Sequence, residues 1–364
     1  MRVLVVDDSV VFRSQIKAAI DGIGGMTVVG SAANGKIALE RLEQMSVDII
    51  TLDLEMPEMN GLEMLAAMNK RGLKQKVIVF AAPSLTGAAQ ALEALRAGAA
   101  DFIAKPNSAG SLDEALAGIK AELVPKILQF KARIEKRALE RDLVARSAAP
   151  RQGLTPLEVR PSAASSRLAS TFKPRIVGIG SSTGGPTALD IVFAFLKDQP
   201  LSIPILIAQH MPPNFTKCLA KRLGEISGHV AKEGEHGEPV NAGCIYVAPG
   251  DFHMTVAFNA DKRQVQIQLD QGPKRNSVRP AVDSLFESMA VTYGSSCAVY
   301  VLTGMGEDGM IGAKAIKGAS GGVMIQDQNS SVVWGMPGAV HAAGAFDAMG
   351  NLGECANSLL QMVK

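Results

Sequence analysis

The stretch "IVGIGSSTGGPTALDIV", Ile176 to Val192, decides how the chain is read. An apolar run ends in glycines and small hydroxyl residues, and a helical pattern follows. A strand feeding a helix through a tight turn is the repeating joint of a sheet covered by helices. Such turns lie at the carboxyl edge of the sheet, where open α/β folds bind ligands. The residues admit two chemistries. As a phosphate cradle they offer Gly178, Gly180 and Gly184. The third glycine comes one place late for the dinucleotide fingerprint. The next apolar run, "IPILIA", ends in Gln209 and His210 instead of an acid for a ribose. No Gly-Lys-Ser/Thr follows, so a P-loop is excluded. As a nucleophile turn, Gly180-Ser181-Ser182-Thr183-Gly184 fits G-x-S-x-G with Ser182 central and exposed at the sheet edge.

A serine hydroxyl needs a base to take its proton. The histidines of this half are His210, His229, His236, His253 and His341. His210 follows a strand pattern and so falls at the same edge as Ser182. His253, in "APGDFHM", is the second choice because it opens a strand of an expected hairpin. The base in turn needs an orienting carboxylate. "CAVYVLTGMGEDGMIGAKAI" is another strand, glycine-rich turn and helix, which places Asp308 at that edge, with Glu307 as the neighbouring alternative. The order Ser182, His210, Asp308 differs from that of common α/β-hydrolases. A triad is defined by geometry and not by order.

The remaining chain sets the frame. Its 364 residues fit two or three domains. With 47% apolar and 20% charged residues, the composition is that of globular cores. A net charge of +2 and 4% aromatic residues argue against nucleic acid as a partner. Cys218, Cys244, Cys297 and Cys355 are dispersed and read as reduced thiols of a cytoplasmic protein. No run reaches the ~18 apolar residues of a membrane span. Residues 1–120 alternate Val/Ile-rich strands with helices, the pattern of a parallel sheet covered on both faces. Residues 121–172 read as a polar, basic helix from Glu122 to Arg146, solvated along its length. The Ser/Ala/Pro-rich linker "SAAPRQGLTPLEVRPSAASSRLAST" follows. Residues 173–364 form a second, larger α/β domain, with an antiparallel pair expected around "FHMTVAFNADKRQVQIQLD".

In the first domain, Asp7 and Asp8 follow the first strand, Asp53 the third and Lys105 the fifth. Three carboxylates meeting at one edge repel each other. A hard divalent cation relieves that repulsion, and carboxylate and water ligands point to Mg²⁺. Metal and lysine together stabilise charge on a phosphoryl group transferred to one carboxylate.

"VDDS", "LDLEMPEMNG" and "KP" make residues 1–120 resemble a response-regulator receiver domain. The resemblance implies a five-stranded, flavodoxin-like parallel sheet. It implies phosphorylation of Asp53 by a histidine kinase, Mg²⁺ on Asp7, Asp8, Asp53 and the main chain of Glu55, and a phosphoryl contact from Lys105. The chain departs from the pattern after the fourth strand. Receivers carry Ser or Thr there, and this chain has Ala81 and Ala82.

"IGSSTGGP", "AQHMPPNFT", "YVAPGDFHM", "RPAVDSLF", "LTGMGEDGMIG" and "VVWGMPGAV" make residues 173–364 resemble the catalytic domain of chemotaxis protein-glutamate methylesterases. The resemblance implies a doubly wound α/β domain with a mostly parallel sheet and a β-hairpin. It implies Ser182 as nucleophile, His210 as base, Asp308 as orienter, the Met305 N–H as oxyanion donor and Thr183 as a positioning residue. No cofactor is expected for the ester chemistry. The implied substrates are glutamate γ-methyl esters, and glutamines, on the cytoplasmic helices of chemoreceptors. The receiver is expected to cover the Ser182 edge until phosphorylated. The competing class is a phosphorylation-controlled binding protein with a silent second domain.

Overall fold

The structure, a computed structural model, describes residues 1–21, 23–106, 112–147 and 172–364, with side chains left undescribed at 112 and 132–147. The Ser/Ala/Pro-rich segment from Ala148 to Thr171 lies outside the described residues. The chain forms two compact units.

The first is a five-stranded sheet in the order β2-β1-β3-β4-β5. Its strands are β1 (Arg2–Val6), β2 (Thr27–Ala32), β3 (Ile49–Asp53), β4 (Lys76–Ala81) and β5 (Asp101–Ala104). All four pairings are parallel. β3, "IITLD", is buried at every position, as a central parallel strand must be. The helices α1 (Val10–Ile20), α2 (Gly35–Gln44), α3 (Gly61–Lys70) and α4 (Leu85–Arg96) start where a side chain satisfies a free N–H. The Ser9 hydroxyl accepts from Phe12 N–H, and Asn60 and Glu63 form a reciprocal capping box. Because Ser9 caps α1 immediately after Asp8, the acidic pair is fixed between the end of β1 and the first turn of a helix.

Helix α5 (Leu112–Ser147) corrects the reading of residues 121–131, the part of the basic segment whose side chains are described. It is one helix of 36 residues that runs through residue 120 and through Pro125. Ile119, Leu123, Ile127 and Phe130 recur at helical spacing and are buried, so its apolar stripe continues past the expected boundary. Lys126, expected on a solvated face, lies 2.6 Å from Asp101 Oδ2, and Lys131 donates to the Gly24 carbonyl at 3.1 Å. The polar composition of this segment hid a face that packs on α1 and β5.

The second unit holds a seven-stranded sheet in the order β14-β13-β12-β6-β7-β9-β8. Its members are β6 (Ile176–Ser181), β7 (Ile205–Gln209), β8 (Val230–Glu233), β9 (Cys244–Val247), β12 (Cys297–Val301), β13 (Gly322–Gln326) and β14 (Ala348–Gly350). Every pairing in this sheet is parallel. The antiparallel pair is a separate ribbon of β10 (His253–Asn259) and β11 (Gln264–Asp270). The covering helices are α6 (Gly185–Ala194), α7 (Phe215–Ser227), α8 (Val282–Tyr293), α9 (Met310–Gly318), α10 (Met336–Ala342) and α11 (Leu352–Val363). From β6 the chain passes to β7, then to β8 at the edge, and back to β9 between those two. It then returns to β12 on the other side of β6. The strand order therefore reverses at β6, and the carboxyl end of that strand opens into the crevice where such sheets hold ligands.

The strand glycines of β6 serve this geometry. A Cβ at Gly180 would stand 2.3 Å from Val282 Cγ1, and one at Gly178 would stand 2.8 Å from Met289 Sδ. Helix α8 thus lies directly on the β6 backbone, and its first residues end beside the crevice. These glycines are packing residues, which accounts for their imperfect match to a dinucleotide fingerprint.

Candidate active site

Ser182 is the first residue beyond β6. Its N–H donates to the Thr303 carbonyl at 3.0 Å, which ties it to the segment after β12. Its carbonyl accepts from Gly185 N–H at 2.8 Å and from Gln209 Nε2 at 3.0 Å. The turn closes through Gly184, whose φ of 77° is the left-handed region that glycine enters without strain. Gln209 ends β7 opposite Ser181 in the sheet register. Its Oε1 accepts from the Ser181 hydroxyl at 2.6 Å. One buried amide therefore clasps the two residues of the turn, a role not visible in the sequence.

His210 follows Gln209 and donates its N–H to the Ser181 carbonyl at 3.1 Å, so it stands next to Ser182 across the two strand ends. Its ring Nε2 meets Asp308 Oδ2 at 2.7 Å. This leaves Nδ1 as the nitrogen available to a nucleophile. Among the described residues no hydrogen bond joins the Ser182 hydroxyl to the imidazole.

Asp308 is buried and is held by backbone donors as well as by His210. Oδ2 also accepts from Val282 N–H at 2.6 Å, and Oδ1 accepts from the N–H groups of Asp283 and Gly309, both at 3.0 Å. Burial acts to raise its pKa. The hydrogen bond to His210 and the N–H groups at the start of α8 act against it and hold the carboxyl below its ordinary range. Glu307, the alternative acid, is exposed. The other histidines are engaged in the framework. His253 is bonded at both ring nitrogens, to the Pro273 carbonyl at 3.0 Å and from Ala281 N–H at 3.3 Å. His236 accepts from Leu269 N–H, His229 faces the Leu196 carbonyl, and His341 stacks on Phe346.

The segment Gly304–Glu307 lies over the serine. A Cβ at Gly304 would fall 2.9 Å from Ser182 Cβ. The Gly304 carbonyl accepts from Gly335 and Met336 N–H, which fixes the orientation of the following peptide. The N–H of that peptide, on half-buried Met305, finds no acceptor among the described residues. Thr183, buried next to Ser182, is part of the same turn.

A second constellation stands at the carboxyl edge of the first sheet. Ligand atoms of Asp7, Asp8 and Asp53 lie within 4.8 Å of one another. Lys105 Nζ is 2.8 Å from Asp53 Oδ2 and 3.3 Å from Asp7 Oδ2. Burial, and then the Asp53 charge, push Asp7 up to about 6. Burial works against the Lys105 charge, yet its hydrogen bond to Asp53 and the two carboxylates leave its pKa raised. Asp7 Oδ2 is buried and, beyond its 3.3 Å ion pair with Lys105, accepts no hydrogen bond among the described residues. Three clustered acids, one with a buried oxygen that has only an ion-pair partner among the described residues, fit a hard cation. The Glu55 carbonyl accepts no backbone hydrogen bond among the described residues, and the Glu55 N–H donates to Asp53 Oδ1 at 3.3 Å.

Residues 177–359 match the family model described as CheB methylesterase, and residues 3–117 match that of the response regulator receiver domain. The chain belongs to the CheB methylesterase family. Among curated members of this family, the protein-glutamate methylesterase/protein-glutamine glutaminase of Thermotoga maritima is 41% identical over 95% of this chain and 94% of its own length. That of Nocardioides sp. is 39% identical over 99% of this chain and 95% of its own. The crystal structure of the Thermotoga maritima CheB methylesterase catalytic domain aligns over 52% of this chain and all of that domain, at 41% identity and a TM-score of 0.50. The family thus spans both units, and the crevice at the end of β6 belongs to its methylesterase part.

Proposed function

We propose that this chain is a phosphorylation-regulated protein-glutamate methylesterase and glutamine deamidase acting on chemoreceptors. The observation that carries the reading is the convergence of Ser182, His210 and Asp308 at the carboxyl ends of β6, β7 and β12, with His210 and Asp308 bonded at 2.7 Å. Asp308 accepts the Nε2 proton and so keeps Nδ1 as the acceptor. Ser182 attacks the γ-carbonyl of a glutamate methyl ester, and its proton passes to Nδ1. The Met305 N–H donates to the oxyanion of the tetrahedral intermediate, where preorganised backbone donors act most strongly. His210 then gives the proton to the departing methoxide, and methanol leaves. Water, deprotonated by His210, cleaves the glutamyl-serine and restores the enzyme with free glutamate on the receptor. With a glutamine side chain the leaving group is ammonia and the steps are the same. Thr183 positions the turn beside the nucleophile.

The receiver supplies the control. Asp53 takes a phosphoryl group from a histidine kinase. Asp7, Asp8, Asp53 and the Glu55 carbonyl would hold Mg²⁺, which neutralises charge during that transfer. Lys105 binds the phosphoryl oxygens. Phosphorylation shifts a two-state equilibrium toward an accessible Ser182 edge. Among the described residues no helix is long and apolar enough to cross a membrane, in keeping with an enzyme that meets receptor helices from the cytoplasm.

The test is methanol release from methylated receptor membranes by the full chain, with and without acetyl phosphate. Release that rises with the phosphodonor and vanishes in Ser182→Ala is the expected result. Equal release by Ser182→Ala would overturn the reading.

A further inference from the structure

Two buried acids meet at the crevice, and the reaction uses only one. Asp283 sits in the first turn of α8, and Asp308 stands just ahead of α9. Each carboxylate caps the other's helix. Asp308 accepts from Val282 and Asp283 N–H, the free donors of α8. Asp283 Oδ1 accepts from Gly309 N–H at 2.9 Å and Gly312 N–H at 2.7 Å, the free donors of α9. Gly309 N–H is shared between both acids. A single side-chain amide closes the arrangement. Asn276 Nδ2 lies 3.2 Å from Asp283 Oδ2 and 3.3 Å from Asp308 Oδ1.

From this juxtaposition we infer that Asn276 and Asp283 are positioning residues for the reaction, acting through Asp308. The inference rests on the reading of Asp308 as the orienter of His210. Helix N-termini fix anions by dipole and hydrogen bond together. With Oδ1 locked by three donors, Asp308 cannot rotate about its terminal torsion, which is otherwise soft. Oδ2 is then aimed at His210 Nε2. Asn276 bridges the acids at a point where the two carboxylates would otherwise repel, and it supplies a donor to each. An acid at that position would add repulsion, and an apolar residue would leave two acceptors facing each other.

The backbone is suited to this role. Asn276 and Ser277 have φ of 49° and 64°, in the left-handed region. Asparagine enters that region more readily than most residues, and glycine enters it freely. The side chain is on an exposed segment, so its loss removes little packing.

Two variants of the full chain separate positioning from folding. Asn276→Gly removes the amide and keeps the backbone relaxed. Asn276→Asp keeps the shape and reverses the polarity at one atom. Methanol release from methylated receptor membranes, thermal unfolding, and inactivation by a fluorophosphonate are measured alongside wild type and Ser182→Ala. The expected result is a kcat about tenfold lower in Asn276→Gly, from loss of a hydrogen bond to a charged group, with KM and the unfolding temperature little changed. Asn276→Asp is expected to fall lower still near neutral pH, and fluorophosphonate inactivation should slow in the same order. Wild-type kcat in Asn276→Gly, or equal kcat in the two variants, would overturn the inference. If Ser182→Ala also retained release, the esterase reading itself would have failed, and the two failures are thereby told apart.

Discussion

His210 faces Asp308 through Nε2, at 2.7 Å, which leaves Nδ1 as the ring nitrogen not engaged by the acid. The tautomer follows. Asp308 accepts, Nε2 donates, and Nδ1 is the bare nitrogen. Asp308→Asn is expected to reverse this, because an amide NH₂ placed at Oδ2 favours a proton on Nδ1. The loss in kcat should approach the ~10⁴ seen for the corresponding change in a serine protease. The same change replaces an acceptor of backbone N–H groups, so thermal unfolding must be recorded beside methanol release. A folded variant with only a few-fold loss would move the orienting role to another acid.

Gly304 makes a second prediction. Its added Cβ would meet Met336 Sδ at 2.2 Å and Ser182 Cβ at 2.9 Å. Met336 is fully buried and has little room to yield. Gly304→Ala should therefore cost about 1–3 kcal/mol from overpacking. It should also displace the nucleophile and the Met305 peptide, lowering kcat by at least about tenfold. Gly318, at the end of α9, has open space around its Cβ position, and Gly318→Ala should leave activity unchanged. Comparable kcat in the two variants would mean that the Gly304 segment does not set the site.

The chain's strong periodicities announced most of what positions these residues. Continuous Val/Ile runs gave the five receiver strands and the central strands of the second sheet, because a strand buried on both faces has a solid apolar signature. The edge strands β8, "VAKE", and β14, with three residues, were not legible. β8 is polar and only partly buried, and β14 is too short to show a period. The acids and the histidine that meet at each sheet edge were legible because each follows a strand, and strand ends share an edge. Gln209, Asn276 and Asp283 were missed for a physical reason. Their roles consist of hydrogen bonds between segments distant in sequence, 28 positions apart for Ser181 and Gln209, 32 for Asn276 and Asp308 and 26 for Asp283 and Gly309. No local pattern encodes such pairings. The stripe of α5 past residue 120 was masked by its many charges, although Ile119, Leu123, Ile127 and Phe130 carried it.

Asp7 gives the first unit a pH dependence. Its folded pKa, about 6, stands above the ordinary 3.8. The folded state therefore favours the protonated acid. This contribution to stability is fully present below the unfolded value and is lost as pH rises through about 6. Without divalent cation, unfolding of the full chain should move to lower temperature between about pH 5 and about pH 7.5. Mg²⁺ should restore more stability at the higher pH, where Asp7 is charged and competes with no proton. Asp7→Asn should flatten both responses. Calorimetry with and without Mg²⁺ checks this, and an equal pH response in Asp7→Asn would assign the effect elsewhere.

The last prediction concerns Ala81. It ends β4, one residue beyond Phe80, the strand partner of Asp53, and its own partner is Ala104, next to Lys105. A hydroxyl at this edge would stand beside the phosphoryl group, and a methyl group cannot bond to it. Ser84, three residues further on, serves the start of α4, where its hydroxyl accepts Gly87 N–H at 3.0 Å. A hydrogen bond to a charged group contributes about 1.5–3 kcal/mol. Only the part that differs between the two receiver states shifts their populations. Phosphorylation of Asp53 should therefore proceed in the wild type and bias the equilibrium weakly. Ala81→Ser, and to a lesser degree Ala82→Ser, should raise the methylesterase rate at a given phosphoryl occupancy. The measurement is methanol release against the phosphorylated fraction for the three proteins. Superimposed curves with strong activation in the wild type would show that the signal leaves the phosphorylation site by a route that needs no hydroxyl after β4.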